Sequence, residues 1–407
     1  MPGIPTIVQP SLQTFRSEMK AEAMAILDYW ISNTVDTARG GFYGAINYRN
    51  ETEPLAPRGI VLYSRICWSF SAAYSVFHDP RYLSMAERAF RYIADYFWDE
   101  SFGGVFWSVD SEGRPLDTRK QIYGLAFCIY GLSEYYRASG NPEALDKAIA
   151  LFEKIEIHSF DTGYGGYFEA FSREWQSMDD MRLSEKDDNE KKTMNTHLHV
   201  VEAYANLYTV WPEARLRERV NHLLDLFEKY FVDPRSYHLR LFYDEAWNLR
   251  SSLISYGHDI EAAWLLADCA RQVGDPERTG RLAELGTKIA MASLEGLDSD
   301  GGLWYEYEPS TGQLIREKHS WPQAEAMIGF LFAYQHTNDA VFLERAMACW
   351  EFVKEHILDR NTGEWFWGVL EDYSPMPKDK AGFWKCPYHN TRACLEIIKR
   401  IETLEKN

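Results

Sequence analysis

What the chain lacks narrows it first. It holds six cysteines in 407 residues, none in Cys-x-x-Cys spacing, and most fall within apolar helical patterns. That argues against a disulfide framework, so all six read as reduced core residues. No His-Glu-x-x-His or three-ligand set is present, so no metal is expected. Basic residues are outnumbered, 43 Lys and Arg against 61 Asp and Glu, for a net charge of −18. Without a basic cluster, nucleic acid and other polyanions are poor partners. No run of about 18 apolar residues occurs. Met1-Pro2-Gly3-Ile4-Pro5 has neither a charged nor an apolar leader segment. We therefore expect no membrane span and a soluble, cytoplasmic protein.

Aromatic residues, by contrast, make up 15% of the chain. Sugar rings pack flat C–H faces on such side chains, although a large core favours the same composition. The aromatics concentrate in six short stretches. These are Gly40-Gly41-Phe42-Tyr43-Gly44, Gly103-Gly104-Val105-Phe106-Trp107, Gly165-Gly166-Tyr167-Phe168-Glu169, Leu239-Arg240-Leu241-Phe242-Tyr243, Gly301-Gly302-Leu303-Trp304-Tyr305 and Gly363-Glu364-Trp365-Phe366-Trp367. Their first residues are spaced by 63, 62, 74, 62 and 62, the signature of a repeated unit.

Each unit pairs an apolar helix with an amphipathic one. The apolar helices are expected near residues 58–77, 120–139, 194–211, 256–273, 322–336 and 388–404. A helix apolar on every side is buried on every side. Amphipathic helices follow near 79–98, 141–158, 212–231, 275–294 and 339–357, three of them opened by Asp-Pro or Asn-Pro. The helix at 12–33 supplies the missing outer partner of the sixth unit, so the repeat is expected to close on itself. We expect an all-α fold: one (α/α)6-barrel domain over residues 1–407, with six inner and six outer helices and hairpin-like aromatic turns. The larger spacing marks a polar insertion, residues 172–192, a length usually functional or mobile.

Polar residues interrupt the inner helices near their starts. Arg65 lies between Tyr63 and Trp68, where a buried cation needs a partner. Tyr123 follows Arg119-Lys120. In Asn195-Thr196-His197-Leu198-His199 the two histidines are two residues apart, about 200° around a helix, so they do not share a face. Asn195 and His199 do. His258 and Glu261 are three apart, Trp321 and Glu325 four apart, and His389 opens the sixth inner helix. In a closed ring these starts share one mouth. Histidines and an arginine without a metal suit proton transfer beside a carbonyl. A hydrolase would need two carboxylates about 5–9.5 Å apart. Asp187, Asp259, Glu261 and Glu325 are available for that, but they mostly accompany a histidine or tryptophan. A non-catalytic sugar-binding protein would explain the tryptophans but not three histidines.

Six motifs, in order along the chain, resemble the N-acylglucosamine 2-epimerase superfamily, and within it the cellobiose 2-epimerases. They are Ala56-Pro57-Arg58-Gly59, Leu116-Asp117-Thr118-Arg119-Lys120, Met194-Asn195-Thr196-His197-Leu198-His199-Val200, Gly257-His258-Asp259-Ile260-Glu261-Ala262, Trp321-Pro322-Gln323-Ala324-Glu325-Ala326, and Phe383-Trp384-Lys385 with Pro387-Tyr388-His389-Asn390. The resemblance implies an (α/α)6 barrel and an isomerase that needs no cofactor. The implied reaction inverts C2 of the reducing-end glucose of a β-1,4-linked disaccharide such as cellobiose or lactose. His258 and His389 would be the acid/base pair working through a cis-enediolate. His199 would assist ring opening, and Arg65 would hold the enediolate oxygens. Tyr123, Asn195, Glu261, Trp321, Glu325 and Trp384 would bind the reducing-end sugar, and Asp187 the second sugar. The alternative is a mannose 2-epimerase or aldose–ketose isomerase acting on a free monosaccharide. The expected partner is a small-molecule disaccharide, and the expected state a monomer.

Overall fold

A computed structural model describes residues 12–406. The N-terminal residues read above for a leader lie outside that range. Among the described residues, α1 (Leu12–Asn33), α3 (Pro80–Tyr92), α5 (Pro142–His158), α7 (Ala214–Leu226), α9 (Pro276–Ser293) and α11 (Ala340–Phe352) form an outer layer. The inner layer is α2 (Ile60–Phe77), α4 (Ile122–Ser139), α6 (Met194–Tyr208), α8 (Tyr256–Gln272), α10 (Ser320–Thr337) and α12 (Tyr388–Leu404). Each inner helix packs on the next, α12 returns to α2, and α1 covers α12, so the ring closes as an (α/α)6 barrel. Among the described residues one helix, α2, is long and apolar enough to cross a membrane, and 78% of it is buried inside the protein, as the core of such a barrel requires.

Local chemistry sets these elements. Asp79, Asn141, Asp275 and Asp339 accept backbone N–H bonds at the starts of α3, α5, α9 and α11, and Pro follows three of them. Each cap is worth about 1 kcal/mol. Inner helices approach closely where a side chain is absent. A Cβ on Gly131 would lie 2.5 Å from the Ser64 carbonyl oxygen, and one on Gly329 2.6 Å from that of Ile260.

The aromatic stretches are tight hairpins. Each is closed by one antiparallel bridge: Val35–Phe42, Trp98–Val105, Phe160–Tyr167, Val232–Leu239, Leu297–Leu303 and Leu358–Trp365. These bridges correct the register read from sequence. Leu239 is the bridging residue of its unit, so Tyr237 and His238 stand where other units carry glycines. A short strand before each of the first five inner helices pairs with the hairpin of the next unit, as Arg58–Gly59 does with Ser108–Val109. The Ile46–Ala381 bridge joins last to first.

An aspartate follows the first bridging residue in every unit, and in five of them a cation from the strand before the inner helix lies on it. Arg58 meets Asp36 at 2.6 Å, Lys120 meets Asp99 at 2.8 Å, Lys192 meets Asp161 at 2.6 Å, and Lys318 meets Asp298 at 2.8 Å. Lys380 binds Asp359. The fourth unit has Ile254 at the cation position, and its Asp233 pairs instead with the half-exposed Arg240.

Candidate active site

The starts of the inner helices surround a cavity of about 900 Å³. Helical spacing lines it in two tiers. Tyr123, Asn195, His258, Trp321 and His389 come from first turns; Arg65, His199 and Glu261 lie about a turn deeper. Trp384 enters from the segment before α12, and Asp187 from the polar insertion, where its Oδ2 accepts from Ser184 Oγ at 2.7 Å. His197 faces the other way. Its Nε2 accepts from the Tyr167 N–H at 2.9 Å, anchoring the third aromatic turn.

Trp321 lies between the two first-turn histidines, its ring centroid 4.8 Å from that of His258 and 5.5 Å from that of His389. His258 Nδ1 is 2.8 Å from Ser255 Oγ. His389 Nδ1 is 2.7 Å from Glu325 Oε1. Burial, with Lys186 and His199 nearby, lowers the His258 pKa to about 3. Burial, then Arg65 and Arg392, pushes His389 well below its ordinary value. Both rings are thereby held neutral in the free protein, and among the described residues neither Nε2 engages a protein hydrogen bond. Arg65 donates to Tyr123 Oη at 2.8 Å, and its guanidinium centre is 4.1 Å from the centroid of Phe127.

Beneath these groups lies an ion cluster that sequence reasoning missed. Arg392, 1% exposed, binds Glu202 at 2.5 Å, Glu325 at 2.6 Å, and Glu261. Glu202 in turn holds His199 Nδ1 at 2.9 Å and accepts from Tyr388 at 2.8 Å. Burial and the charge of Glu325 push Glu261 up to about 7, against the pull of Arg392. Glu261, Glu325 and His389 place ligand atoms within 4.8 Å of one another, the spacing of a metal site. Arg392 already binds the Oε1 atoms of both carboxylates, so a guanidinium occupies the cation position.

Of the eleven residues singled out from sequence, ten line the cavity. Glu325 stands behind it, fully buried, between His389, Arg392 and Trp264 Nε1. Asp259 also turns away, into a bond with His238. Glu202 and Arg392 lay within reach of the same helical rule, three residues after His199 and His389. Tyr305 and Trp367 line the wall too, each two residues past the bridge of its aromatic stretch. Three buried atoms of lining residues, Arg65 Nε, Asn195 Oδ1 and Trp367 Nε1, have no hydrogen-bond partner among the described residues, an arrangement suited to a hydroxyl-rich ligand.

Residues 41–393 match the model of the N-acylglucosamine 2-epimerase (GlcNAc 2-epimerase) family. A cellobiose 2-epimerase of Bacteroides fragilis is 48% identical over 95% of this chain and 99% of its own length. The solved cellobiose 2-epimerase of Bacillus thermoamylovorans is 40% identical and superposes with a TM-score of 0.91, covering 95% of this chain and all of the other. A D-mannose isomerase structure, 22% identical with a TM-score of 0.84 over 97% of this chain and all of its own, shares the fold. The chain belongs to the N-acylglucosamine 2-epimerase family and groups with its cellobiose 2-epimerases.

Proposed function

We propose that the chain epimerises the reducing-end glucose of cellobiose, lactose and related β-1,4-linked disaccharides at C2, without a cofactor. The observation that carries this reading is the pair of neutral imidazoles, His258 and His389, on either side of Trp321. Inversion needs one base to take the C2 proton from one face and one acid to return a proton to the other.

The sugar first opens to its aldehyde, with His199 relaying the proton of the anomeric O1 hydroxyl to the ring oxygen as the C1–O5 bond breaks and the C1 carbonyl forms. One imidazole then removes the C2 proton. The C–H electrons form the C1–C2 double bond, and the C1 carbonyl electrons move onto oxygen. Arg65 stabilises the resulting enediolate. The opposed histidine, neutral in the free protein, takes up a solvent proton beside the negative enediolate and delivers it to C2 from the other face; the carbonyl at C1 re-forms, and the ring recloses with mannose configuration. Glu325 supports this by accepting the Nδ1 proton of His389, leaving Nε2 to exchange protons. In the reverse direction the two histidines exchange roles. Tyr123, Asn195, Glu261, Trp321 and Trp384 hold the reducing-end sugar, and Asp187 reaches the second. Ring closure through α12 and α1 supports reading the barrel as one domain, and we take it to act as a monomer.

The test is incubation of cellobiose with the protein in D2O. The expected result is glucosyl-mannose carrying deuterium at C2 with the glycosidic bond intact. Release of glucose overturns the reading, as does faster turnover of free mannose than of cellobiose. His258→Ala and His389→Ala should each abolish epimerisation.

A further inference from the structure

Four of the six aromatic turns have glycine at both residues before the second bridging residue: Gly40-Gly41, Gly103-Gly104, Gly165-Gly166 and Gly301-Gly302. The fourth unit has Tyr237-His238 and the sixth Gly363-Glu364. These two units are the ones whose inner helices carry His258 and His389. Tyr237 and Glu364 adopt φ of 63° and 65°, a left-handed backbone that disfavours side chains. The Glu364 side chain, kept there against that preference, points to a use; in the fourth unit the left-handed residue is Tyr237, and the use of His238 is read from its contact with Asp259.

Both substitutions reach the same place. His238 Nδ1 lies 2.7 Å from Asp259 Oδ2, and the Leu239 N–H donates to Asp259 Oδ1 at 2.7 Å. Asp259 directly follows His258. Glu364 Oε1 accepts from Asn390 Nδ2 at 2.6 Å and from Lys385 Nζ at 2.8 Å. Asn390 directly follows His389. At the position of Asp259, the first, second, third and fifth units carry the neutral residues Tyr63, Leu125, His197 and Gln323. The fourth unit is also the one without a cation at the strand before its inner helix, so the His238–Asp259 contact takes over the tie between turn and helix.

We propose that His238 and Glu364 are positioning residues, each reaching from its aromatic turn to the residue after a proton-transferring histidine and fixing the first turn of that inner helix. The inference rests on His258 and His389 as the proton-transfer pair. Half an ångström of play in a first turn moves an imidazole out of line with C2 while leaving the sugar's other contacts in place. The loss therefore falls on kcat rather than on KM.

The two ties differ in their response to pH. His238 is faced by Asp259 and Tyr256 from α8 and by Glu295 after α9, the last 3.3 Å from Nε2. Burial lowers the His238 pKa, but the hydrogen bond and charge of Asp259, then Glu295, outweigh it and raise it. The charged tie is present where His238 is protonated and Asp259, itself raised by burial, is ionised, and it is lost as pH rises through the raised His238 value. The fourth unit therefore adds an alkaline decline to kcat.

The experiment measures kcat and KM for cellobiose against pH, with melting temperatures, for the wild type, His238→Asn and Glu364→Gln. Asn keeps a donor near the Nδ1 position but cannot charge. We expect its kcat near neutrality to fall roughly tenfold, with KM within about twofold, and the alkaline decline to disappear. Glu364→Gln should lower kcat and keep that decline. If it fails to fold, because buried Lys385 loses its counter-charge, His238→Asn decides alone. A His238→Asn variant with wild-type kcat and alkaline decline overturns the inference. So does one that loses only melting temperature. A wild type that leaves cellobiose unchanged overturns the proton-transfer reading itself, and this inference with it.

Discussion

His389 Nδ1 and Glu325 Oε1 lie 2.7 Å apart, and the same oxygen accepts from Arg392 at 2.6 Å. One carboxylate oxygen thus orients an imidazole and is itself held by a buried guanidinium. The tautomer of His389 is set by a residue with no surface in the cavity.

Glu325→Gln presents either an amide oxygen or an amide N–H to His389 Nδ1, and in the second case the wrong tautomer results. Epimerisation of cellobiose should fall about a hundredfold or more, with KM nearly unchanged. Steady-state kinetics on the folded variant checks this, and near-normal kcat would remove Glu325 from the mechanism.

Arg392→Met leaves Glu202, Glu261 and Glu325 buried without their shared cation. Breaking a buried ion pair from one side costs about 3–5 kcal/mol. Urea unfolding should show at least that loss, and Arg392→Lys should recover only part because it cannot bridge three carboxylates in one plane.

Stability should fall on the acid side. His197 and His258 are each buried with pKa values near 3, and His389 is well below 6.5. The unfolded chain binds their protons below about pH 6.5 while the folded chain does not. Stability is therefore fully present above that pH and declines below it, by about 1.4 kcal/mol per pH unit for each histidine. Denaturant midpoints between pH 7 and pH 4 test the sign. His197→Gln, remote from the cavity, should make the decline shallower.

Lys186, in the insertion, contacts Tyr305 Oη and lies 3.3 Å from Glu306 Oε1, joining the loop to the fifth aromatic turn. Its side chain is 57% exposed, so the pair adds little stability. Lys186→Met should leave the melting temperature unchanged and raise KM for cellobiose several-fold, on the scale of one or two polar contacts. Turnover of a monosaccharide, which does not reach the insertion, should not change. Equal losses on both substrates would remove the loop from substrate selection.

Most of the barrel was legible because its cause is local. Asp79-Pro80 and Asn141-Pro142 announce helix starts by capping chemistry, and apolar residues such as Ile60, Tyr63, Ile66 and Phe70 mark α2 as buried. The register of the fourth unit was not legible, because Tyr237 and His238 replace the glycines that mark the other turns. Only the Val232–Leu239 bridge locates it.

In the site the division is similar. Helical spacing by itself put Asn195 with His199, and His258 with Glu261, on common faces, and it excluded His197 and His199 as a shared pair. It could not show that Glu325 lies behind His389 rather than in the cavity. Nor could it gather Glu202, Glu261 and Glu325 from α6, α8 and α10 onto Arg392 of α12. Periodicity fixes which way a side chain points from its own helix. Which charges meet is decided only when six helices close into a ring, because burial then makes every unpaired charge too costly to keep.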